Sequence, residues 1–379
     1  MKKGIKIILL LFLAMPLFLS YAEELTISGY YKNILSLSKA TQSKENFFTD
    51  LNRLRLKIDF KFSPSLKIIL SLDNEVMLHD LYNNPDFSII RQKNQKELAF
   101  MDGDYTSRDR KHTYIRHSLY RAYLKYKRDN IRLTLGKQNI DFSRMRFFGP
   151  LDLFNPISPL DLEQDEKIGT DALNFEYFLN GFSSLNIILA PKRNSDESKF
   201  AIRLTGKLND YDLMFVLGEL TKDEILGFGF DGYLFNAGLR AEITYTHPDD
   251  KNNFVRLAIG TDYTISTKLY LLFEYFYNGG YSRNRSLFLS SYQYSQKVRS
   301  LNRHLLNFMV KYEISPLVTF NNYLIYDIDG KSVFLNPQIS YNVFTNLDVS
   351  LGAQFFWGKT DAEFGSYQNL YYTELKYFF

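Results

Sequence analysis

The chain of 379 residues contains no cysteine and a single tryptophan. The lack of cysteine excludes disulfide bridges, thiolate nucleophiles and cysteine-ligated metal sites. After residue 19 the sequence also lacks any long apolar run free of charge, which excludes a bundle of transmembrane helices. The formal net charge is only +4, and three lysines among the first six residues supply most of it. A general nucleic-acid binder is therefore not expected.

The amino-terminal residues have the pattern of a secretory signal peptide. Three lysines precede the apolar stretch 7–19, and Ser20-Tyr21-Ala22 places small residues three and one positions before a cleavage point. A retained anchor helix is the alternative, but the stretch is shorter than the about 20 residues that a spanning helix needs. We expect residues 1–22 to be removed and residues 23–379 to form one domain with a net charge of +1.

Polar and apolar residues alternate in segment after segment of the mature chain. In residues 53–62, Leu54 and Ile58 share one face of an extended strand, and Arg55 and Lys57 lie on the other. Eighteen segments have this alternation: 25–38, 52–62, 66–78, 119–127, 131–138, 172–179, 184–190, 199–207, 211–218, 225–233, 236–245, 254–263, 269–278, 305–313, 317–327, 332–342, 347–356 and 370–379. Hardly any amphipathic helix is present to cover so many apolar faces, so lipid is the simplest cover. The sequence predicts an all-β fold, a transmembrane antiparallel up-and-down β-barrel of about 18 strands, or 16 if a hairpin is miscounted.

The links between the segments alternate in length. Short links such as Ser63-Pro64-Ser65 and Leu208-Asn209-Asp210 follow every second strand, where periplasmic turns belong. Long links fall between them, where extracellular loops belong: 79–118, 139–171, 279–304 and 357–369. Both chain ends are then expected in the periplasm. Whether the link 79–118 closes the mouth of the barrel is left open.

The last residues of the chain form an alternating strand that ends on an aromatic carboxyl terminus. Thr373, Leu375, Tyr377 and Phe379 share one face, with charged residues on the other. This segment resembles the C-terminal strand of outer-membrane β-barrels, which the barrel-assembly machinery recognises. The resemblance implies a Gram-negative outer membrane, contact with its lipid and lipopolysaccharide, and recognition by that machinery through the Phe379 strand.

The link 139–171 is rich in proline, apolar residues and carboxylates, whereas a free surface loop is mostly polar. Its apolar side chains need a dry environment, and the inner wall of the barrel is the nearest one. We expect this segment to fold into the lumen as a constriction loop and to direct five carboxylates towards the channel: Asp152, Asp161, Glu163, Asp165 and Glu166. The alternative is a loop that packs over the rim for stability.

At this segment the chain resembles a known group of proteins. Residues 135–177 are similar to a stretch of proteobacterial outer-membrane porin-like proteins related to the alginate-export group. The resemblance is carried by Gly136-Lys137-Gln138 at a strand end, Asn155-Pro156 in the loop, the acidic cluster, and Gly169 two residues before Asp171. It implies an outer-membrane channel and transfers no substrate.

Basic residues predominate on the inward rows of the first half of the chain. The residues expected on this basic wall of the lumen are Arg53, Arg55, Lys57, Lys61, Arg121, Lys125, Arg132 and Arg203. Facing an acidic loop, such a wall would create a transverse field that favours anions. The alternative is that the inner charges pair with one another and merely keep the lumen wet.

Sites for catalysis are not indicated. The five histidines fall in links or at strand ends, and none accompanies a serine and a carboxylate at a spacing that suggests a triad. His112 and His117 have no further ligand beside them for a metal. Glycine-rich phosphate motifs are absent. We expect no catalytic residues, no metal and no cofactor.

Together these patterns predict an outer-membrane porin-like channel for the passive diffusion of small hydrophilic solutes. The basic wall would favour anionic ones. Two alternatives stay open: an export channel for an anionic polysaccharide, and a non-conducting barrel whose surface loops bind a partner. A homotrimer is neither indicated nor excluded, because the outward rows of the predicted strands look uniformly apolar.

Overall fold

The structure is a computed structural model that describes residues 21–40, 45–80, 100–101, 103–155, 158–162, 166–249, 252–283 and 300–379. Most of the predicted signal peptide lies outside the described residues. Nineteen strands are formed: β1 Glu24–Lys39, β2 Asn46–Ser63, β3 Leu66–His79, β4 Tyr105–Arg110, β5 Thr113–Arg128, β6 Ile131–Gln138, β7 Thr170–Phe178, β8 Ser184–Ala190, β9 Lys199–Leu208, β10 Tyr211–Leu220, β11 Asp223–Leu234, β12 Ala237–His247, β13 Phe254–Ser266, β14 Leu269–Asn278, β15 His304–Ser315, β16 Val318–Asp327, β17 Ser332–Phe344, β18 Leu347–Trp357 and β19 Leu370–Phe378.

Eighteen of these strands close into one antiparallel barrel. Each strand pairs with its neighbours in the chain, and β1 pairs with both β2 and β19, so no edge remains in the ring. The exception is β4, which pairs with β5, while β3 also pairs with β5 directly. The predicted fold class, an all-β transmembrane barrel of about 18 strands, is confirmed.

The predicted strands agree in number with the eighteen strands of the barrel and nearly in position, although β2 begins at Asn46 rather than at Asn52. β6, β8 and β14 begin and end at the predicted residues. Two differences lie in the link predicted for residues 79–118, where β4 forms and β5 begins at Thr113 rather than at Leu119. Residues 113–118 alternate regularly but in the opposite phase to residues 121–127, because the register shift between Ser71 and Leu72 leaves Tyr120 without an opposite residue in β3.

Links of two residues turn the chain tightly at one end of the barrel. Asp129 and Asn209 take positive φ angles of 50° and 54°, a conformation that Asp and Asn tolerate better than most residues. Phe235 adopts the same region at 55° and is 94% exposed. We refer to this end as the turn end, and to the other, which has the links 139–169 and 279–303, as the loop end.

Side chains alternate between the two faces of the wall. The outward row is apolar along most strands, as in Leu185, Ile187 and Leu189 of β8. The inward row is mainly polar near the turn end, but in the middle of the barrel it includes two buried apolar clusters. Among the described residues no helix is long and apolar enough to cross a membrane.

Candidate functional site

We call the segment between β6 and β7, residues 139–169, the inner loop, and its described residues lie inside the barrel. Its residues hydrogen-bond to strands on all sides of the ring: to β2, β5, β9, β12, β14, β16 and β18. A segment that contacts strands all round a closed ring must cross the interior. The inner loop is therefore not packed over the rim.

Apolar side chains of the inner loop pack against small residues of the wall. Leu151 and Phe154 are fully buried in a cluster with Ala201 and other wall residues. On β11, a Cβ atom at Gly227 would lie 2.5 Å from Leu151, and one at Gly229 would lie 2.9 Å from it. Glycine at these two inward positions thus makes room for the loop.

A second cluster fixes another part of the same loop. Phe147 is packed beside Phe276 of β14, and Phe148 stacks on Phe276 with ring centroids 5.1 Å apart. Phe364, from the link between β18 and β19, joins this cluster beside Phe334. Two separate links therefore bury aromatic rings in the interior of the barrel.

Two wall carboxylates hold the backbone of the inner loop. Glu242 of β12 accepts hydrogen bonds from the amides of Arg144 and Leu151, at 2.5 and 3.0 Å, and from the Ser143 hydroxyl at 2.9 Å. Glu274 of β14 accepts from the amides of Arg146 and Phe147, at 2.7 and 3.0 Å. The two glutamates are only 1% and 2% exposed. The sequence pattern does not distinguish either residue from other inward carboxylates.

The carboxylates predicted to line a constriction have varied surroundings. Asp152 is buried and its Oδ2 pairs with Lys167 at 2.7 Å, so it faces another loop residue rather than open water. Glu166 pairs with Arg55 of β2 at 2.7 Å. The amide of Asp161 donates to the Ser158 carbonyl oxygen in a turn. Glu163 and Asp165 lie outside the described residues.

Two arginines of the predicted basic wall are paired with carboxylates. Arg53 lies 2.6 Å from Glu75, and Arg55 lies 2.6 Å from Asp73. The guanidinium of Arg55 also stacks over the ring of Tyr120 at 3.4 Å. Both arginines point into the lumen, since the Arg55 side chain contacts the inner loop, but their charge is largely balanced.

Four other residues of the predicted basic wall border one cavity. Arg121, Lys125, Arg132 and Arg203 come from β5, β6 and β9, and residues 139–142 at the start of the inner loop complete the lining. The cavity has a volume of about 270 Å³. Its two carboxylates are Glu176, which lies 2.6 Å from Arg132, and Asp141, which pairs with Lys167. Cations therefore outnumber carboxylates in its lining.

The remaining members of the predicted basic wall lie towards the turn end. Lys57 pairs with Asp59 at 3.0 Å, and Lys61 pairs with Glu24 at 2.7 Å. The lysine side chains are 48% and 37% exposed, so these pairs are in contact with solvent. Pairs of this kind contribute little to stability.

Charge is distributed unevenly around the inner face. The strand register places mostly lysine and arginine on the inward rows of β1 to β9: Lys32, Arg53, Arg55, Lys57, Lys61, Lys67, Arg116, Arg121, Lys125, Lys127, Arg132, Lys199, Arg203 and Lys207. Carboxylates predominate on the inward rows of β10 to β19: Asp212, Asp223, Asp231, Glu242, Asp262, Glu274, Glu313, Asp327, Asp348 and Glu374. We call these two sets of strands the basic half and the acidic half.

The histidines have ordinary partners. His117 lies between Asn74 and Ser107, and the His112 ring contacts the carbonyl oxygen of His79. Within the described part of the chain, no group of three His, Asp or Glu residues is placed to hold a metal ion.

Solved structures with this arrangement of strands are known, although the sequences differ widely. Acinetobacter baumannii OccAB1 is 10% identical over 95% of this chain and 97% of its own, with a TM-score of 0.59. OccAB2 from the same organism is 9% identical over 95% and 99%, with a TM-score of 0.59. A triple mutant of the Rhodopseudomonas blastica porin is 12% identical over 94% and 100%, with a TM-score of 0.47. The two Acinetobacter structures share the barrel fold of this chain.

No family model matches the sequence, and no curated protein matches it either. The solved structures thus show the barrel fold alone, and function has to be argued from this chain's own residues.

Proposed function

We propose that the protein is an outer-membrane channel through which small hydrophilic solutes diffuse passively, with a preference for anions. In this proposal residues 1–22 are a cleaved signal peptide, and both ends of the mature chain lie in the periplasm. Solutes pass along the basic half of the lumen, beside the inner loop.

The proposal depends on one difference between the two halves: the inner loop buries carboxylates of the acidic half, whereas cations of the basic half line a cavity. In the acidic half, Glu242 and Glu274 are buried beneath the inner loop and bind its amides. Their charge is thus withdrawn from the lumen. In the basic half, Arg121, Lys125 and Arg203 border a cavity in which cations outnumber carboxylates. Charges at the narrowest part of a pore determine its selectivity, so the field left in the open lumen favours anions.

Planar-bilayer recordings test this proposal. The refolded protein should conduct, and its reversal potential under a potassium chloride gradient should have the sign of an anion-selective pore. Replacing both Arg121 and Lys125 by glutamine should shift that potential towards zero. The matched control is Arg128→Gln, on the same strand but with its side chain 73% exposed at the turn end, which should leave the potential unchanged. A cation-selective wild type would contradict the anion preference.

A second candidate is a non-conducting barrel whose surface loops bind a partner. It is favoured by the extent to which the interior is filled, because the inner loop and Phe364 bury aromatic rings inside the ring of strands. The same recordings separate the two candidates, since a closed barrel would show no channel events. An export channel for an anionic polysaccharide is less well supported, because the inner loop crosses the path that a polymer would take.

The predicted partners belong to the same proposal. They are outer-membrane lipid and lipopolysaccharide around the wall, small hydrophilic solutes inside it, and the barrel-assembly machinery at the Phe379 strand. We also propose that the chain has no enzymatic activity. Its relation to the alginate-export group rests on residues 135–177 alone and stays a prediction.

A further inference from the structure

The outer wall of β1 and β2 has a hydrogen-bonded polar cluster, formed by Tyr31, Asn33, Asp50 and Asn52. Asn33 Nδ2 donates to Asp50 Oδ1 at 2.6 Å and to Asn52 Oδ1 at 3.1 Å. Asn52 Nδ2 donates to the same Asp50 oxygen at 2.9 Å, and the Tyr31 hydroxyl donates to Asn52 Oδ1 at 2.5 Å. These positions alternate with those of Arg53 and other inward residues, so the cluster lies on the outside.

The polar surface continues onto the next two strands of the ring. Asn74 of β3 stands opposite the outward Leu54, and its Oδ1 lies 2.8 Å from His117 Nδ1 of β5. The His117 ring also stacks on Tyr105 of β4, with centroids 6.1 Å apart. We call the whole surface, from Asn33 to His117, the outer polar patch.

Apolar side chains border the patch towards both ends of the barrel. On the loop side, Leu37 and Leu78 are 53% and 42% exposed. On the turn side, Ile27 and Leu54 are 56% and 38% exposed. The patch therefore lies within the apolar band of the wall and not at its edge, where lipid head groups and water are found.

The wall on the opposite side of the ring has a different composition. On the far side of the ring, the middle outward positions of β8 to β12 are apolar: Leu185, Ile187, Leu189, Phe200, Ile202, Leu204, Leu213, Phe215, Leu217, Leu226, Phe228, Phe230, Leu239, Ala241 and Ile243. Amides and a carboxylate that face hydrocarbon find no hydrogen-bonding partner in it. The expectation of uniformly apolar outward rows was thus wrong for β1 to β5.

We propose that the outer polar patch is the contact surface for a second copy of this chain within the membrane. Each asparagine amide offers both a donor and an acceptor, so the patch is complementary to its own copy. Among the described residues, Asp50 Oδ2 takes no hydrogen bond, and an amide of the second copy supplies the donor that a lipid tail lacks. The proposal rests on the barrel lying in an outer membrane and not on its conduction.

Single cysteines test the proposal cleanly, because the natural chain has none. Asn52→Cys places a thiol in the patch, and Ile243→Cys places one on the far wall, where Ile243 is 39% exposed. Both full-length variants are refolded into phosphatidylcholine vesicles and treated with a short bis-maleimide. We expect a covalent dimer from Asn52→Cys and monomer from Ile243→Cys. Monomer from both, or equal dimer from both, would overturn the proposal.

Light scattering in detergent gives a second readout. Asp50→Leu combined with Asn52→Leu should convert an oligomeric wild type into a folded monomer, with Trp357 fluorescence reporting the fold. If the oligomer keeps its size in this variant, the patch is not the contact. A crosslinked dimer that forms only when lipopolysaccharide is present would also overturn the proposal. Lipid between the two copies, and not direct contact, would then cover the patch. Neither readout depends on channel activity.

Discussion

The basic and acidic halves of the barrel interior use their charges in different ways. In the basic half, Arg121, Lys125, Arg132 and Arg203 surround a cavity and stay partly exposed. In the acidic half, Glu242 and Glu274 lie under the inner loop and bind its backbone amides. A net balance of inward charge therefore says little about the field that a solute meets. What matters is which charges the inner loop covers.

Removing the charge of the two loop-binding carboxylates should cause the largest loss of stability. In a variant with Glu242→Gln and Glu274→Gln, the four hydrogen bonds from loop amides keep only a neutral acceptor. Each of these bonds should weaken by about 1 kcal/mol. We expect the free energy of unfolding to fall by about 4 kcal/mol. Urea unfolding in detergent, followed by the fluorescence of the single tryptophan Trp357, measures it.

The control for this variant is Glu313→Gln. Glu313 is an inward carboxylate of the acidic half near the turn end, and it lies away from the inner loop. Its replacement should leave the unfolding curve nearly unchanged. Equal losses in the two variants would mean that carboxylates stabilise the acidic half generally, without a special role in holding the loop.

A smaller loss of stability is expected when a side chain is added at an inward glycine that contacts the inner loop. Gly227→Val brings a side chain against Leu151, since a Cβ atom would already lie 2.5 Å from it. Overpacking of this kind costs about 1–3 kcal/mol. Gly206→Ala is the control, because its nearest atom would be 3.5 Å away. Thermal unfolding of the two variants in detergent should differ, and equal midpoints would show that Leu151 can move without cost.

The smallest effect is expected at the exposed ion pairs of the basic half. Lys57→Gln removes a partner of Asp59 in a pair that is about half exposed. Exposed pairs typically contribute below about 1 kcal/mol, so the free energy of unfolding should change by less than that. The same urea titration checks it. A loss as large as that for Glu242 would contradict the distinction between exposed and covered charges.

The alternation of the sequence predicted the barrel and its eighteen strands because each strand must place one row in lipid and the other in the lumen. It did not reveal that Glu242 and Glu274 bind the inner loop, because an inward glutamate fits the alternation equally well whether or not a loop contacts it. One signal was present, however. Gly227 and Gly229 occupy alternate inward positions of β11, and glycine inside a strand often marks the close approach of another segment.

The partners of the inner loop's carboxylates could not be predicted from the sequence, for a different reason. Their position in the chain placed them near the lumen, but Asp152 turns to Lys167 and Glu166 turns to Arg55. The first pairing depends on how the loop folds back on itself, and the second depends on β2 meeting the loop inside the closed ring. The outer polar patch is not evident from the sequence either, because Asn33, Asn52 and Asn74 become neighbours only when β1, β2 and β3 pair.

Replacement of the inner loop shows whether its covering of Glu242 and Glu274 determines the selectivity of the channel. Residues 142–166 would be exchanged for a Gly-Ser-Gly-Ser linker between Asp141 and Lys167, whose side chains already contact each other at 2.7 Å. Conductance and reversal potential would be recorded in planar bilayers for this variant and the wild type. With Glu242 and Glu274 uncovered, we expect a larger conductance and a reversal potential shifted towards cation selectivity. A larger conductance with an unchanged or stronger anion preference would contradict it.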